Sequence, residues 1–156
     1  MIMPAIIYTI NQGKVGEILI HLEACDKAFV PPLSHRIDLS AYSEKLVKHA
    51  TNFEAWNVQK ILVGLVSVYM NDLSMKTAFI TSVSVCTEYT GKGIAKRLMA
   101  ECLKETKQKG FTQLQLEVNR LSTSAINLYR THGFQTSEIN NEIIKMKLKL
   151  KPDVKD

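Results

Sequence analysis

The chain has 156 residues, of which 46% are hydrophobic and 22% are charged. These values are typical of globular domains and exclude a disordered, collagenous or coiled-coil chain. The length predicts a single domain over residues 1–156. The 20 lysines and arginines exceed the 15 acids and give a net charge of +5, which favours anionic partners such as phosphorylated cofactors, acidic substrates or nucleic acid.

The cysteines and the apolar runs indicate where the protein resides. Cys25, Cys86 and Cys102 are far apart in the sequence and belong to no metal-binding pattern, which predicts free thiols in a reducing compartment and no metal. The longest apolar run, residues 61–70, is shorter than the roughly 20 residues that span a bilayer, and the segment 1–10 lacks the basic start of a signal peptide. We therefore expect a cytoplasmic protein that has no membrane partner.

The first half of the chain predicts a strand, two helices and a meander of strands. A β-branched run over 5–10 predicts the first strand, and apolar residues at helical spacing predict a helix over 13–29 that ends at Pro31 and Pro32. A second helix begins at an Asp38 or Ser40 cap and ends near Ala50. Residues 53–59, 60–70 and 77–85 are rich in aromatic and β-branched residues and predict three antiparallel strands, with a turn at residues 71–72.

The second half predicts two helices and three strands. Apolar positions that recur every fourth residue predict a helix over 91–110, and strict alternation predicts a half-exposed strand over 112–119. A short helix over 123–132 precedes a hairpin of residues 134–139 and 142–150. The last strand alternates lysines with apolar residues, and we expect these lysines to protect it as a sheet edge. This interpretation is preferred to a nucleic-acid-binding face, so no nucleic-acid partner is expected.

The segment 83–98 joins a strand to a helix through closely spaced glycines. The first turn of a helix offers unpaired N–H groups and partial positive charge, and glycines let an anion approach the backbone. Lys92, Lys96 and Arg97 add positive charge. A Walker loop is excluded because no Gly-Lys-Ser/Thr sequence occurs here, and a dinucleotide-binding loop is disfavoured because Lys96 stands where that pattern needs a third glycine.

Two blocks of this sequence resemble the GNAT superfamily of N-acetyltransferases. The family has a strand and then Gln/Arg-x-x-Gly-x-Gly/Ala at the start of a helix; Gly93 and Ala95 fit the last two positions, whereas Thr90 stands in place of the Gln or Arg. That departure removes a usual side-chain contact to pyrophosphate. The second block, Asn119 followed by residues 124–134, is similar to the family's Asn-x-x-Ala-x-x-Leu-Tyr-x-x-x-Gly-Phe.

The resemblance implies a fold and a co-substrate. The fold would be α/β (α+β), with a mixed central sheet of six to seven strands, splayed between the fourth and fifth, and four helices on its two faces. Acetyl-CoA would lie in the splay, with its pantetheine on one strand and its pyrophosphate on the glycine loop, where Lys96 or Arg97 would lie near phosphate. The implied cofactor-binding residues are Val83, Val85, Thr90, Gly91, Lys92, Gly93, Ile94, Ala95, Lys96, Asn119 and Asn127.

The resemblance also implies catalytic roles. Tyr129 would be the general acid, because the departing thiolate needs a proton, and a backbone N–H of the strand ending at Val85 would hold the oxyanion. Many relatives carry an acid on that strand, but residues 79–82 contain none. Glu117 is the remaining candidate for the base that deprotonates the amine. Direct transfer needs no acyl carrier, so Cys86 is interpreted as structural.

The segment 29–42 would cover the acceptor side in this family. His35, Arg36 and Tyr42 are the expected substrate-binding residues. Few acids lie nearby, which favours a neutral or anionic acceptor such as an amino sugar or its nucleotide conjugate, and the segment resembles acetyltransferases of surface-polysaccharide pathways. The sequence therefore predicts a monomeric or homodimeric N-acetyltransferase that acts on a small primary amine. Two alternatives stay open: a longer acyl donor, or a degenerate CoA-binding or sensor module.

Overall fold

The computed structural model describes residues 5–151 as a seven-stranded mixed sheet with four α-helices. The strands are β1 (Ile7–Ile10), β2 (Thr51–Trp56), β3 (Leu62–Asp72), β4 (Thr77–Val85), β5 (Gln113–Asn119), β6 (Gln135–Asn140) and β7 (Ile143–Lys149). The helices are α1 (Val15–Cys25), α2 (Leu39–His49), α3 (Ile94–Gln108) and α4 (Thr123–Thr131). The strand order is β1-β2-β3-β4-β5-β7-β6, and β4 and β5 are parallel. The expected fold class is confirmed.

The helices begin and end where local chemistry dictates. The carboxylate of Asp38 caps α2 by accepting a 3.1 Å hydrogen bond from the N–H of Ala41. In α3 the positions spaced by four, from Ile94 to Thr106, are all buried. Helix α1 is shorter than predicted, because it ends at Cys25 and a 3-10 turn over Asp26–Ala28 follows.

Among residues 5–151, no helix combines the length and the apolar composition needed to cross a bilayer.

Two apolar cores lie on opposite faces of the sheet. Leu65 of β3 packs with Ile18, Leu22 and Leu46 of α1 and α2. Val66, the next residue of β3, packs with α3 and α4 in the larger core. Since successive strand residues point to opposite faces, helices α1 and α2 cover one face, and α3 and α4 cover the other.

The buried side chain of Glu54 in β2 is hydrogen-bonded to β1 and to the turn before α1. Its side chain is fully buried, at 0% exposure. Its Oε1 accepts hydrogen bonds from the Thr9 hydroxyl and the Gln12 N–H, both 2.8 Å, and its Oε2 accepts one from the Gly13 N–H at 2.7 Å. A buried carboxylate is costly unless it is hydrogen-bonded, and here these three donors fix the turn from which α1 starts.

The sheet is splayed between β4 and β5. The two strands pair only between Thr77–Ile80 and Gln113–Leu116, and both continue beyond that point without pairing. On its other side β4 is bulged against β3, since Ser82 pairs with Ser67 and Ile80 with Val68, which leaves Thr81 as the extra residue. The separated ends of β4 and β5 form the walls of a cleft.

Two predictions about strand positions are wrong. The lysine-rich last strand is not a sheet edge, because β7 lies between β5 and β6. The edge is β6, whose six residues are all exposed, and Lys145 of β7 pairs with Glu138 of β6 at 3.3 Å. The expected turn at residues 71–72 also lies later, because β3 continues to Asp72. Residues 1–4 and 152–156 of the predicted single domain lie outside the described residues.

Candidate active site

The separated ends of β4 and β5 enclose a cleft of about 490 Å³. One wall comes from β4 and the opposite wall from β5 and the start of α4, while the 3-10 turn after α1 and the loop behind it close one side. The cleft is lined by Ala28, Phe29, Val30, Arg36, Ile80, Thr81, Ser82, Val83, Leu116, Glu117, Val118, Asn119, Leu121, Ser122, Thr123, Ser124, Ala125, Tyr129 and Ile143.

The loop between β4 and α3 has the conformation of an anion site. After a 3-10 turn over Thr87–Tyr89, Gly91 and Gly93 adopt φ of +76° and +81°, a left-handed region that favours glycine. Gly93 is the N-cap of α3, so the first N–H groups of that helix have no intrahelical partner. The first turn of α3 carries no acidic residue. Exposed amides, the helix dipole and the neighbouring Lys92 and Lys96 therefore favour a phosphate group.

Two side chains near this loop are engaged by other residues. The Thr90 hydroxyl donates to the carbonyl oxygen of Thr87 at 2.8 Å and so stabilises the turn. The guanidinium of Arg97 lies 4.4 Å from the ring centroid of Tyr8, and its Nε lies 3.4 Å from Glu101 Oε1. Arg97 is thus already engaged within the chain, by Tyr8 and Glu101.

Tyr129 of α4 is buried but lines the cleft. Its ring packs edge-to-face against Phe134, with 6.0 Å between ring centroids. Burial raises the pKa of Tyr129 to about 12, and no hydrogen bond offsets that effect. The phenol therefore stays protonated at neutral pH and is a potential proton donor to a group bound in the cleft.

A buried hydroxyl that has no assigned hydrogen-bond partner lies in the wall of the cleft. Ser82 Oγ, just after the bulge in β4, is buried and unpaired, although it belongs to a residue that lines the cleft. Burial raises the pKa of Tyr42 and the Ser82 hydroxyl opposes that shift in part, so this hydroxyl lies close to that phenol of α2 and not in the open cleft. Nothing in the sequence indicated Ser82, because its position follows from the bulge at Thr81.

The other expected site residues are divided between the cleft and its surroundings. Val83, Glu117, Asn119 and Arg36 line the cleft. Asn119 Oδ1 accepts a hydrogen bond from the Leu121 N–H and turns the chain towards α4, while Glu117 is exposed and lies opposite Lys145 in the sheet.

The cleft lining does not include residues 90–96 of the loop and the start of α3, nor four further expected site residues: Val85, His35, Tyr42 and Asn127. Asn127 is exposed on α4, and His35 ends a 3-10 turn over Leu33–His35. Tyr42 instead contacts the cleft residue Thr81 through its hydroxyl. It therefore lies one layer behind the cleft wall.

Comparisons with known proteins agree with this geometry. Residues 19–134 match the model of the Acetyltransferase (GNAT) family. Over 81 residues, the chain is 32% identical to mouse "Probable N-acetyltransferase family 8 member 5", a match that covers 52% of this chain and 36% of the relative. The chain thus spans about a third of the length of that curated relative.

Solved structures share the fold. An acetyltransferase of the GNAT family from Staphylococcus aureus has a TM-score of 0.77 at 16% identity and covers 94% of this chain and 100% of its own. The PaiA N-acetyltransferase from Thermoplasma acidophilum, solved in complex with coenzyme A, has a TM-score of 0.72 at 18% identity and covers 92% and 99%. At such identities the likeness concerns the fold alone.

Proposed function

Because the chain belongs to the GNAT family of acetyltransferases, we propose that it transfers the acetyl group of acetyl-CoA to a primary amine of a small molecule. The observation that carries the proposal is the splayed cleft lined by Tyr129, a buried phenol without a hydrogen-bond partner among the described residues. The reaction needs no metal. Three free thiols are consistent with a reducing, cytoplasmic compartment, and we expect a monomer or homodimer.

The donor would occupy the splay and the glycine loop. Beyond Ile80 the edge of β4 that faces β5 has no strand partner, so its amides at Val83 and Val85 are available to hydrogen-bond the pantetheine arm. The pyrophosphate would bind the amides from Gly91 to Ala95, with Lys92 and Lys96 supplying charge. Thr90 would contribute through its backbone, because its hydroxyl is used within the turn.

The chemistry would be a direct attack of the amine on the thioester carbonyl. A backbone N–H of the unpaired β4 edge would stabilise the oxyanion. Collapse of the tetrahedral intermediate breaks the C–S bond, and the Tyr129 phenol would donate its proton to the departing thiolate. Glu117, exposed at the cleft, would accept the proton that the ammonium must lose, directly or through water.

The cleft favours an acceptor with hydroxyl groups and no excess positive charge. Arg36 is the one cationic residue among the described residues that line the cleft, and Glu117 is the one acid. Ser122, Thr123 and Ser124 also line the cleft and bring hydroxyl groups to it. With Arg36 and Glu117, these hydroxyl groups support an amino sugar or a related amine as the acceptor.

The second candidate is a CoA-binding or sensor module without activity. It is favoured by two observations: Thr90 replaces the family's Gln or Arg, and residues 79–82 of β4 contain no acid. A transferase for a longer acyl donor is a further variant of the same proposal.

Calorimetry with acetyl-CoA, with CoA and with NAD tests the donor, and release of the CoA thiol with a panel of amines tests the reaction. We expect acetyl-CoA but not NAD to bind, and amino sugars to be acetylated. Binding without turnover on any amine would favour the sensor module. Absence of binding to both acetyl-CoA and CoA would contradict the proposed function.

A further inference from the structure

Three reactive side chains meet outside the cleft, at the end of α1. Cys25 Sγ lies 4.0 Å from Cys86 Sγ, although 61 positions separate the two cysteines in the sequence. Cys86 Sγ also lies 3.7 Å from Nδ1 of His21. His21 and Cys25 are buried, and Cys86 is half-buried. No local sequence pattern indicates this cluster, because its two cysteines are distant along the chain.

The hydrogen bonds of His21 distinguish this cluster from a metal centre. The three side chains are close enough together to hold a metal ion. However, Nδ1 lies 3.0 Å from the carbonyl oxygen of Leu62, which can only accept, so Nδ1 carries a proton. Nε2 lies 2.8 Å from Ser84 Oγ. Both ring nitrogens are therefore engaged, and Cys25 Sγ, at 3.9 Å and 3.7 Å from the two nitrogens, lies on the lone-pair axis of neither.

The two thiols have unequal acidities. A hydrogen bond from Cys25 and the proximity of His21 lower the pKa of Cys86 to about 5. The same thiol–thiol contact, together with burial, raises the pKa of Cys25. Thiolates are the reactive form of cysteine, so the more accessible member of the pair is the nucleophile and the buried member keeps its proton. Cys102 is not part of this pair: its Sγ contacts Thr106, and burial raises its pKa to about 12.

We propose that Cys25 and Cys86 are an oxidisable dithiol, a modification site at which hydrogen peroxide converts the pair to a disulfide. The Cys86 thiolate attacks one peroxide oxygen and the O–O bond breaks, which gives a sulfenic acid on Cys86 and a hydroxide that is protonated to water. Cys25 then loses its proton and attacks the Cys86 sulfur, which forms the S–S bond and releases a second water. Two thiols are oxidised and one peroxide is reduced to two waters.

The pair is placed for the second step. The sulfur–sulfur distance of 4.0 Å must shorten to about 2 Å in a disulfide. Rotation of the two side chains shortens this distance, because both cysteines are free thiols and neither sulfur is held in another covalent bond. The site does not depend on the proposed acetyl transfer, because none of its side chains lines the cleft.

The test treats the purified full chain, reduced, desalted and kept with a chelator, with hydrogen peroxide. Free thiols counted in denaturant should fall from three to one, and the intact mass should fall by two hydrogens. Proteolysis should give a peptide that joins Cys25 to Cys86, and dithiothreitol should reverse the change. Cys102→Ser, the matched control, should form the same link.

Two variants separate the roles of the cysteines. Cys25→Ser should stop at a sulfenic acid on Cys86 that dimedone traps, and Cys86→Ser should consume peroxide at least about tenfold more slowly. A wild-type chain that keeps three thiols, or that gains oxygen without losing hydrogens, would overturn the proposal. Zinc that copurifies in a one-to-one ratio and blocks the disulfide would overturn it too, by making the cluster a metal centre.

Discussion

The hydroxyl of Tyr42 lies 2.6 Å from Thr81 Oγ1 and 3.1 Å from the Thr81 carbonyl oxygen, so helix α2 contacts the extra residue of the β4 bulge. Thr81 has no partner in β3, and Tyr42 takes over part of its hydrogen bonding. The tyrosine that the sequence assigned to the acceptor thus stabilises the wall of the cleft.

Tyr42→Phe should lower the free energy of unfolding by about 1 kcal/mol. The substitution removes the phenolic hydroxyl and leaves half-buried Thr81 without that hydrogen-bond partner. Tyr69→Phe is the matched control. The Tyr69 hydroxyl is buried and unpaired, so its removal should leave stability unchanged or raise it by up to about 1 kcal/mol. Urea unfolding measures both. Unchanged stability of Tyr42→Phe together with a higher acceptor KM would instead assign Tyr42 to the acceptor.

Glu54→Gln should destabilise the chain by roughly 2–4 kcal/mol, because an amide NH₂ would replace an oxygen of a buried side chain that accepts part-buried hydrogen bonds. Glu138→Gln removes only an exposed ion pair with Lys145 and should cost less than about 1 kcal/mol. Thermal and urea unfolding of the two variants provide the comparison. Equal losses would show that burial of the Glu54 carboxylate is not what stabilises the β1–α1 turn.

Tyr129→Phe should lower kcat by roughly 100-fold or more, because general acids typically contribute factors of this size. The dissociation constant of acetyl-CoA should change less than about threefold, since the ring and its contact with Phe134 remain. Steady-state kinetics on the best amine and calorimetry with acetyl-CoA measure the two effects. Unchanged turnover would remove Tyr129 from the mechanism.

Stability should decrease at alkaline pH as the tyrosines ionise. Burial raises the pKa of Tyr129 and of Tyr42 from 10 to about 12. Between these values the unfolded chain loses the phenolic protons that the folded chain keeps, so this contribution to stability is complete below pH 10 and falls as the pH rises to about 12. Each tyrosine should account for roughly 1–3 kcal/mol. Urea unfolding at several alkaline pH values should show a smaller decrease for the Tyr42→Phe and Tyr129→Phe double variant.

Gly93→Ala should weaken acetyl-CoA binding at least about tenfold, because φ of +81° strains an alanine by roughly 1–2 kcal/mol and moves the amides of the loop. Gly16→Ala is the control, since Gly16 lies in the first turn of α1 and a Cβ there would meet nothing within 4 Å, so alanine should leave stability unchanged or raise it by up to about 1 kcal/mol. Calorimetry and unfolding of both variants test the difference. Equal affinities in the two variants would mean that the loop does not hold the pyrophosphate.

Local patterns were sufficient for some elements. The four-residue spacing from Ile94 to Thr106 predicted α3, and those residues are buried, because a helix repeats on that spacing regardless of its partners. Likewise, the β-branched run over 77–85 predicted a strand with the observed bounds of β4. The splay between β4 and β5 followed only from the resemblance of the blocks around Gly93 and Asn119 to the family.

Other features depend on contacts between distant segments. The bulge at Thr81 and the unpaired Ser82 hydroxyl result from the register of β3 against β4, which single-strand patterns do not contain. The contact between Cys25 and Cys86 needs the end of α1 and the end of β4 to meet. The hairpin of β6 and β7 was predicted from its own residues, but that β7 and not β6 pairs with β5 was not, because the alternating lysines of β7 were interpreted as a sheet edge.

The exposed edge strand β6 has a consequence for local unfolding. All six of its residues are exposed, including Ile139 at 63%, so it buries little apolar surface and depends mainly on backbone hydrogen bonds to β7. Segments of this kind open with little free energy, and their amide hydrogens exchange early. When β6 opens, β7 becomes the edge of the sheet. Lys145, Lys147 and Lys149 then line that edge, where their charges oppose pairing with a strand of another chain.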